Sequence, residues 1–299
     1  MKQLIKKALG RVRQFLLAPL LESHRRLEGI NQSTQLLLHL KYQEMMRDNV
    51  PLPGIEEIGF RVFSENDEDG ILLFIFSIIG VTNKKVIDLG AASISNSNTA
   101  NLIVNHGWVG MLIDGNDETL KSSKEFYYYC PDTRNFPPTL VHAWITAENV
   151  NTIISEHGFF GEIDLLSIDM DGVDYWIWKA VNCVDARVVV AEYQDIIGPQ
   201  KSLTVPYDPD FKVKDYEVNQ RIGNYSGASL PALVKLGREK GYRLVGCNRY
   251  GYNAFFVRTG IAEEYLPEIP IESCFRHPKV QRGMKERFPR VEHMNWEKV

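Results

Sequence analysis

Two short apolar runs, each closed by an acid and a glycine, constrain the fold more than any other feature of this chain. The first run ends at Asp88 and Gly90, the second ends at Asp114 and Gly115, and the two acids lie 26 positions apart. Residues 98–106, between the two runs, are predicted to form a helix. A buried strand, a tight turn, a helix and a second strand ending in an acid form the first unit of the α/β folds that bind nucleotides.

The turn after the first run favours one kind of nucleotide ligand. Its backbone N–H groups can approach a ligand, and the acid that ends the second strand can accept hydrogen bonds from both hydroxyls of a ribose. A dinucleotide site requires Gly-x-Gly-x-x-Gly to hold a pyrophosphate, whereas here Gly90 is followed by Ala92 and Ile94. S-adenosylmethionine has no phosphate and makes weaker demands on this loop, so the pattern favours it as cofactor. The alternative is a strand, turn and helix that bind nothing.

Composition sets ordinary limits on the chain. At 299 residues and 44% apolar residues, it can bury one α/β core and carry an appendage. The four cysteines are widely scattered, which argues against a zinc site and predicts a reducing, cytoplasmic location. The formal net charge of -4 predicts no general affinity for nucleic acid.

The N-terminal residues differ in character from the rest. Residues 1–30 carry seven Lys or Arg against two Glu, and apolar residues recur at helical spacing over residues 1–20. This basic amphipathic helix could lie on an anionic membrane surface, or it could pack on the body or on a second subunit as a homo-oligomer. A second helix is predicted over residues 32–46, and Pro51 and Pro53 follow it. We therefore predict a helical extension over residues 1–50.

The remaining chain alternates between apolar runs and helical stretches. Near-continuous apolar runs are typical of parallel strands buried on both faces, and they occur at 84–89, 109–114, 139–145, 163–169 and 187–192. Two final strands, 242–247 and 253–258, are joined by only five residues, so they must form an antiparallel hairpin. The prediction is a Rossmann-like α/β domain over residues 51–260, with the mostly parallel sheet and terminal hairpin of class I methyltransferases. Residues 261–299 are predicted to form a basic tail, which is either a solvated face or a contact for an anionic substrate or lipid headgroups.

Five motifs, in this order along the chain, carry a family resemblance. They lie at residues 68–71, 86–90, 112–115, 167–176 and 227–230. Together they resemble the FkbM-type methyltransferases, which depend on S-adenosylmethionine, and the resemblance covers about residues 60–258. It implies transfer of a methyl group to an oxygen, often a hydroxyl of a sugar, a glycan or a glycosylated product.

The cofactor contacts are predicted at the carboxyl ends of the strands. Asp88 would fix the first loop and meet the amino group of the methionine moiety, and Gly90 would allow a close approach. Asp114 would hold the ribose, and Glu148 would accept the exocyclic amine of adenine. The alternative is that Asn149, or the threonine three positions before it, only caps the next helix. The full predicted set is Asp88, Gly90, Ala92, Asp114, Gly115, Asn116 and Glu148.

Acids at the ends of the fourth and fifth strands suggest the chemistry. Asp169, Glu192 and Gln194 together offer oxygen ligands to Mg²⁺ or another divalent cation. Such an ion would lower the pKa of an acceptor hydroxyl. Asp169 and Asp171 are predicted to be catalytic, with Asp171 taking the proton. Alternatively, Asp171 belongs only to a turn and Asp174 only caps a helix.

Three functional hypotheses remain open. The first is an O-methyltransferase that uses S-adenosylmethionine and acts on a hydroxyl-bearing small molecule or glycan. The second is a metal-dependent glycosyltransferase, since Asp169-Met170-Asp171 also fits an Asp-x-Asp motif. The third is a non-catalytic assembly protein of methyltransferase fold. A long segment, residues 194–228, is predicted to form a lid or substrate cradle, or else only a surface excursion.

Overall fold

The chain comprises two compact units, Met1–Pro51 and Leu52–Val299. The structure, a computed structural model, describes residues 31–90, 93–94, 96–213 and 225–299. In the first unit, residues 31–47 form helix α1, which is the second predicted N-terminal helix. The predicted basic helix over residues 1–20 lies outside the described residues, and so does Ala92.

The second unit is built on a seven-stranded sheet with the order β3-β2-β1-β4-β5-β8-β7. Strands β1 to β5 pair in parallel, and β8 runs antiparallel to both β5 and β7. This order confirms the predicted α/β sheet of class I methyltransferases with its C-terminal antiparallel hairpin. The strands are β1 (Lys85–Leu89), β2 (Val109–Asp114), β3 (Thr139–His142), β4 (Gly161–Ile168), β5 (Val184–Glu192), β6 (Leu203–Thr204), β7 (Tyr242–Cys247), β8 (Asn253–Arg258) and β9 (Glu297–Lys298).

Helices flank the sheet, and local capping defines where two of them begin. Asn116 Oδ1 accepts the backbone N–H groups of Glu118 and Thr119 at the start of α5. Ser229 Oγ accepts the backbone N–H of Ala232 and caps α8. In the second unit the helices are α2 (Ile55–Ile58), α3 (Glu68–Ile79), α4 (Ala100–His106), α5 (Asp117–Tyr129), α6 (Val150–Glu156), α7 (Asp174–Ala180), α8 (Leu230–Glu239) and α9 (Pro278–Glu286).

A buried ion pair fixes the amino end of the sheet. The guanidinium of Arg187 on β5 donates to Asp164 on β4 at 2.8 Å, and both side chains are almost fully enclosed. Asp164 also accepts the backbone N–H groups of residues 82–84 at 2.7–3.0 Å. These bonds satisfy the buried carboxylate, which would otherwise be costly to bury. They also tie the loop before β1 to the two neighbouring strands.

The C-terminal segment is packed against the rest of the second unit, so the prediction of a solvated tail is wrong. Strand β9 pairs antiparallel with β6, and Val280, Phe288 and Val291 are buried in the core. Two of the basic side chains, Lys279 and Arg287, bond the buried carboxylate of Asp195. The basic composition of this segment therefore serves internal ion pairing as well as the surface.

The ends of β1 and β4 approach each other so closely that only glycine fits between them. Gly90 has φ of +87°, and a Cβ atom at this position would lie 1.8 Å from the carbonyl oxygen of Asp169. On the same side, Asp169 N–H donates to the Leu89 carbonyl at 3.0 Å. Gly90 is therefore required by backbone packing, whatever it contributes to a ligand.

We expect Gly90→Ala to lower the free energy of unfolding by at least about 3 kcal/mol, because it combines a left-handed backbone with a steric clash. Urea unfolding measures this loss. The matched control is Gly260→Ala, since Gly260 has the same φ of +87° and no atom within 4 Å of an added Cβ. The control should lose only about 1–2 kcal/mol. Equal losses at the two positions would show that the contact with Asp169 is unimportant.

Candidate functional site

A cleft of about 530 Å³ opens at the carboxyl ends of β1, β2, β3 and β4. This is the edge at which open α/β sheets bind ligands. Of the predicted site residues, six line it: Gly90, Asp114, Gly115, Asn116, Asp169 and Asp171. Asp88, Glu148, Glu192 and Gln194 are not among its lining residues. The other lining residues are Asp117, Glu118, His142, Ala143, Trp144, Ile145, Met170, Gly172, Val173, Pro209 and Phe211.

Asp88 lies behind the cleft and organises the loop that leads into α4. Its Oδ2 accepts hydrogen bonds from the hydroxyls of Ser97, at 2.9 Å, and Thr99, at 2.8 Å. Ser97 Oγ in turn accepts the backbone N–H groups of Thr99 and Ala100. Burial raises the pKa of Asp88 to about 6. These contacts account for the predicted role in fixing the first loop. They do not bring the carboxylate to the cleft surface, where a methionine amino group would meet it.

Asp114 ends β2 with its carboxylate at the cleft. Oδ1 accepts the N–H of Asn116 at 2.6 Å, which leaves the second oxygen to a ligand. Burial raises the pKa of Asp114, nearby Asp171 acts in the same direction, and His142 opposes them. The side chain of Asn116 is itself occupied in capping α5. Asp114 is therefore better placed than Asn116 to receive ribose hydroxyls.

The sequence reasoning missed Trp144, which forms a wall of the cleft. A Cβ on Gly115 would lie 2.8 Å from its indole ring, so the ring packs directly over that glycine. The indole N–H donates to the Pro209 carbonyl at 2.6 Å, and the side chain is 48% exposed. Because β3 ends at His142 and not at residue 145, the residues just after it reach the cleft. The signal available in the sequence was a tryptophan near the carboxyl end of the third apolar run, at residues 139–145.

Glu148, predicted to contact adenine, is bonded elsewhere. Its Oε2 accepts the hydroxyl of Tyr207 at 2.5 Å, and that hydroxyl accepts the N–H of Ala147 at 2.9 Å. The hydrogen bond from Tyr207 lowers the pKa of Glu148. These contacts hold the long segment after β6 against the loop after β3. Asn149 also has a local role, since its Oδ1 accepts the N–H of Thr146 at 2.8 Å.

Four acids meet at the ends of β4 and β5. Asp174 accepts the N–H groups of Met170, at 2.8 Å, and Gly172, at 3.0 Å, so it orders the turn before α7. Burial raises the pKa of Asp169 well above its usual range, and the charges of Asp174 and Asp171 add to the effect. Burial also raises the pKa of Glu192 in the same way, again reinforced by its acidic neighbours. These side chains form a mutually repelling group that holds protons more tightly than ordinary carboxylates.

The predicted metal site is not supported. Within residues 31–90, 93–94, 96–213 and 225–299, no group of three or more His, Cys, Asp or Glu side chains is arranged to hold a metal ion. The amide nitrogen of Gln194 lies 3.3–3.4 Å from Ser226 Oγ and carbonyl oxygen and donates to them. We therefore derive no chemistry from a cation bound by Asp169, Glu192 and Gln194.

A second, smaller pocket of about 170 Å³ lies beside the cleft, at the ends of β5 and β8. It shares Asp171 with the cleft, and that residue has a left-handed φ of +55° in the turn between the two spaces. Ligand pockets usually measure about 300–1,000 Å³, so this one admits only part of a molecule. Its lining residues are Asp171, Glu192, Tyr193, Gln194, Asp195, Val213, Ser226, Gly227, Tyr252 and Arg287.

Comparison with known proteins gives structural neighbours only. No protein-family model and no curated protein matches the chain. The neighbours include an O-methyltransferase from Bacillus cereus in complex with SAH (12% identity, 76% of this chain and 91% of that one, TM-score 0.41). A second is the glycopeptide N-methyltransferase MtfA complexed with SAH (11% identity, 68% and 94%, TM-score 0.40). These neighbours are S-adenosylmethionine-dependent methyltransferases, but with such low TM-scores the fold assignment rests on the strand order itself.

The described residues also include no helix long and apolar enough to cross a membrane.

We expect Asp88→Asn to flatten the pH dependence of stability. The folded pKa of about 6 exceeds the ordinary aspartate value of 3.8, so protonation of Asp88 stabilises the fold as the pH falls, and this gain is lost as the pH rises through 6. The difference in free energy of unfolding between wild type and variant should grow by about 2 kcal/mol between pH 7 and pH 4. Urea unfolding at both pH values measures it. A difference independent of pH would contradict the assignment.

Proposed function

We propose that this protein is an O-methyltransferase that uses S-adenosylmethionine and acts on a hydroxyl of a sugar, a glycan or a glycosylated product. The observation that supports it most is the shared position of Asp171 between the cleft and the small pocket. A donor in the cleft and an acceptor in the pocket would meet beside this carboxylate.

The residues of the cleft fit S-adenosylmethionine. The cleft volume of about 530 Å³ is in the range of small-molecule sites. The second carboxylate oxygen of Asp114, which makes no hydrogen bond with the described residues, would receive the ribose hydroxyls, and Trp144 offers an aromatic face for adenine. When bound, this cofactor supplies a methyl group on a positively charged sulfur. The acids at the floor of the cleft, Asp169 and Asp171, would favour that positive charge.

The same acids can receive the proton that the acceptor hydroxyl loses. An acid works best as a base when its pKa lies near the working pH, and the pKa values of both Asp169 and Asp171 are raised by burial. Asp171 borders both spaces, so we assign it the proton and give Asp169 the role of orienting the acceptor. In-line approach to the methyl carbon is then mostly a matter of positioning.

The glycosyltransferase alternative is disfavoured by the same geometry. Its Asp-x-Asp motif would need Asp169 and Asp171 to chelate a metal together with a sugar-nucleotide diphosphate, whereas both residues line the same cleft as Asp114, which is suited to the ribose of an adenosine. The non-catalytic alternative predicts that no nucleoside binds, and the titrations below test this directly.

Titration calorimetry with S-adenosylhomocysteine tests the cofactor site. We expect roughly micromolar binding to the wild type, with or without Mg²⁺. Asp114→Asn should weaken binding by about tenfold, or about 1.4 kcal/mol, because the variant accepts fewer hydrogen bonds from the ribose. Glu148→Gln should change the affinity less than about twofold, since its carboxylate is bonded to Tyr207.

Weaker binding by Glu148→Gln, with binding by Asp114→Asn unchanged, would place the adenine site at Glu148, as the sequence predicted. Absence of binding to the wild type in both conditions would overturn the proposed function. Binding of a UDP- or GDP-sugar in its place would favour the glycosyltransferase.

Substitution of Trp144 tests the wall of the cleft. We expect Trp144→Ala to weaken S-adenosylhomocysteine binding by about 1–3 kcal/mol, the range found for base–aromatic stacking. Trp144→Phe should keep most of the affinity, because phenylalanine retains an aromatic ring for adenine. This variant loses only the hydrogen bond to the Pro209 carbonyl. Thermal unfolding of both variants controls for folding. Equal weakening by the two variants would assign Trp144 to holding the Pro209 segment and not to binding adenine.

A further inference from the structure

Two of the four cysteines are brought together at the β7 edge of the sheet. Cys247 is the last residue of β7, and Cys274 lies in a 3₁₀ helix, Ile271–Phe275, shortly before α9. The chain between β8 and this helix passes beside β7, where the Ile269 N–H donates to the Leu244 carbonyl at 2.9 Å. The fold therefore makes neighbours of two cysteines that lie 27 positions apart in the sequence.

Both cysteines line one cavity of about 600 Å³. This cavity shares no lining residue with the cleft or with the small pocket. Cys247 is half-buried, whereas Cys274 is only 4% exposed. Their neighbours in the wall include the apolar side chains of Phe74, Val245 and Leu266. A small molecule that enters the cavity therefore meets the sulfur of Cys247 more readily than that of Cys274.

The two thiols are in contact with each other. A hydrogen bond from one thiol to the other, together with burial, raises the pKa of Cys274 well above the usual range of a thiol. Tyr193 holds the segment of Cys274 from the far side, since its hydroxyl donates to the Cys274 carbonyl at 3.4 Å and its ring packs on Phe275. A disulfide requires the sulfurs to move from this contact to about 2 Å.

The other two cysteines have no such partner. Cys130 ends α5 and Cys183 directly precedes β5, and neither lines the cavity. All four cysteines are free thiols in this structure. The chain therefore holds one matched pair of thiols and two separate ones.

Metal binding does not explain the pair. A structural zinc ion takes four ligands, and His277 is the one histidine that shares the cavity with the two thiols. In the part of the chain that the structure describes, no three His, Cys, Asp or Glu side chains are arranged to hold a metal ion. The chemistry left to two adjacent thiols is exchange with a disulfide.

We propose that Cys247 and Cys274 are a thiol-exchange site and form a reversible disulfide bond with each other. The oxidant is a small-molecule disulfide, RSSR. The Cys247 thiolate attacks one of its sulfurs, which forms a mixed disulfide and releases one RSH. The Cys274 sulfur then attacks that of Cys247 and releases the second RSH. Two protein thiols thus lose two electrons and two protons, and RSSR takes up both. This site does not depend on the proposed function.

The test is to incubate the folded, full-length chain with oxidised glutathione and then measure its intact mass and map its peptides. The wild type should lose the mass of two hydrogen atoms from this pair and yield a Cys247–Cys274 cross-link, which dithiothreitol should remove. Cys274→Ser should stop at the first step and keep one glutathione on Cys247, because the attacking thiol of the second step is missing. Cys247→Ser should form no internal disulfide.

The double variant Cys130→Ser/Cys183→Ser is the matched control, because it removes the two thiols outside the cavity. It should form the Cys247–Cys274 bond to the same extent as the wild type. Thermal unfolding shows whether each variant folds.

Three results would overturn the proposal. The first is a folded wild type that forms no Cys247–Cys274 cross-link, and the second is a glutathione that stays on Cys247 while Cys274 is intact. The third is a cross-link that forms in urea but not in the folded chain, since the fold would then not be what brings the two sulfurs together.

Discussion

The closest backbone approach in the site, between Gly90 and the carbonyl of Asp169, is the constraint on which the rest of this edge depends. It brings the end of β1 against the end of β4, and those strand ends form the floor of the cleft. The same contact fixes the start of the turn that carries Asp171. Asp174 orders this turn further by accepting the N–H of Gly172. A side chain on residue 90 would therefore displace the floor of the cleft and the turn at Asp171 together.

The second organising feature is electrostatic. Asp169, Asp171, Asp174 and Glu192 are brought together at the ends of β4 and β5, and such a group opposes folding as long as all its members are ionised. Asp174 recovers part of this cost by accepting backbone hydrogen bonds from Met170 and Gly172. Strain of this kind is typical of functional sites, where charged groups are held for a ligand or a proton and not for the stability of the fold.

Much of the architecture was predictable because it follows from local pattern. Buried apolar runs marked the parallel strands, and a five-residue connection required the terminal hairpin. The side-chain contacts of the site were less predictable. Glu148 is bonded to a tyrosine 59 positions away, and Arg287 reaches an aspartate 92 positions away. Neither partner can be inferred from spacing, so Glu148 was assigned to adenine and the C-terminal segment to solvent. Trp144 was missed because the third strand is three residues shorter than its apolar run.

The late position of α9 and β9 in the chain separates the two halves of the site in time during synthesis. Strands β1 to β4 precede residue 170, whereas the cleft also uses Pro209 and Phe211, and the small pocket gains Arg287 only after residue 286. A nascent chain can therefore complete the cleft once residue 211 has been made, while Arg287 in the wall of the neighbouring pocket has still to be synthesised. The C-terminal segment thus completes the small pocket after the cleft, and the pairing of β9 with β6 holds this segment in place.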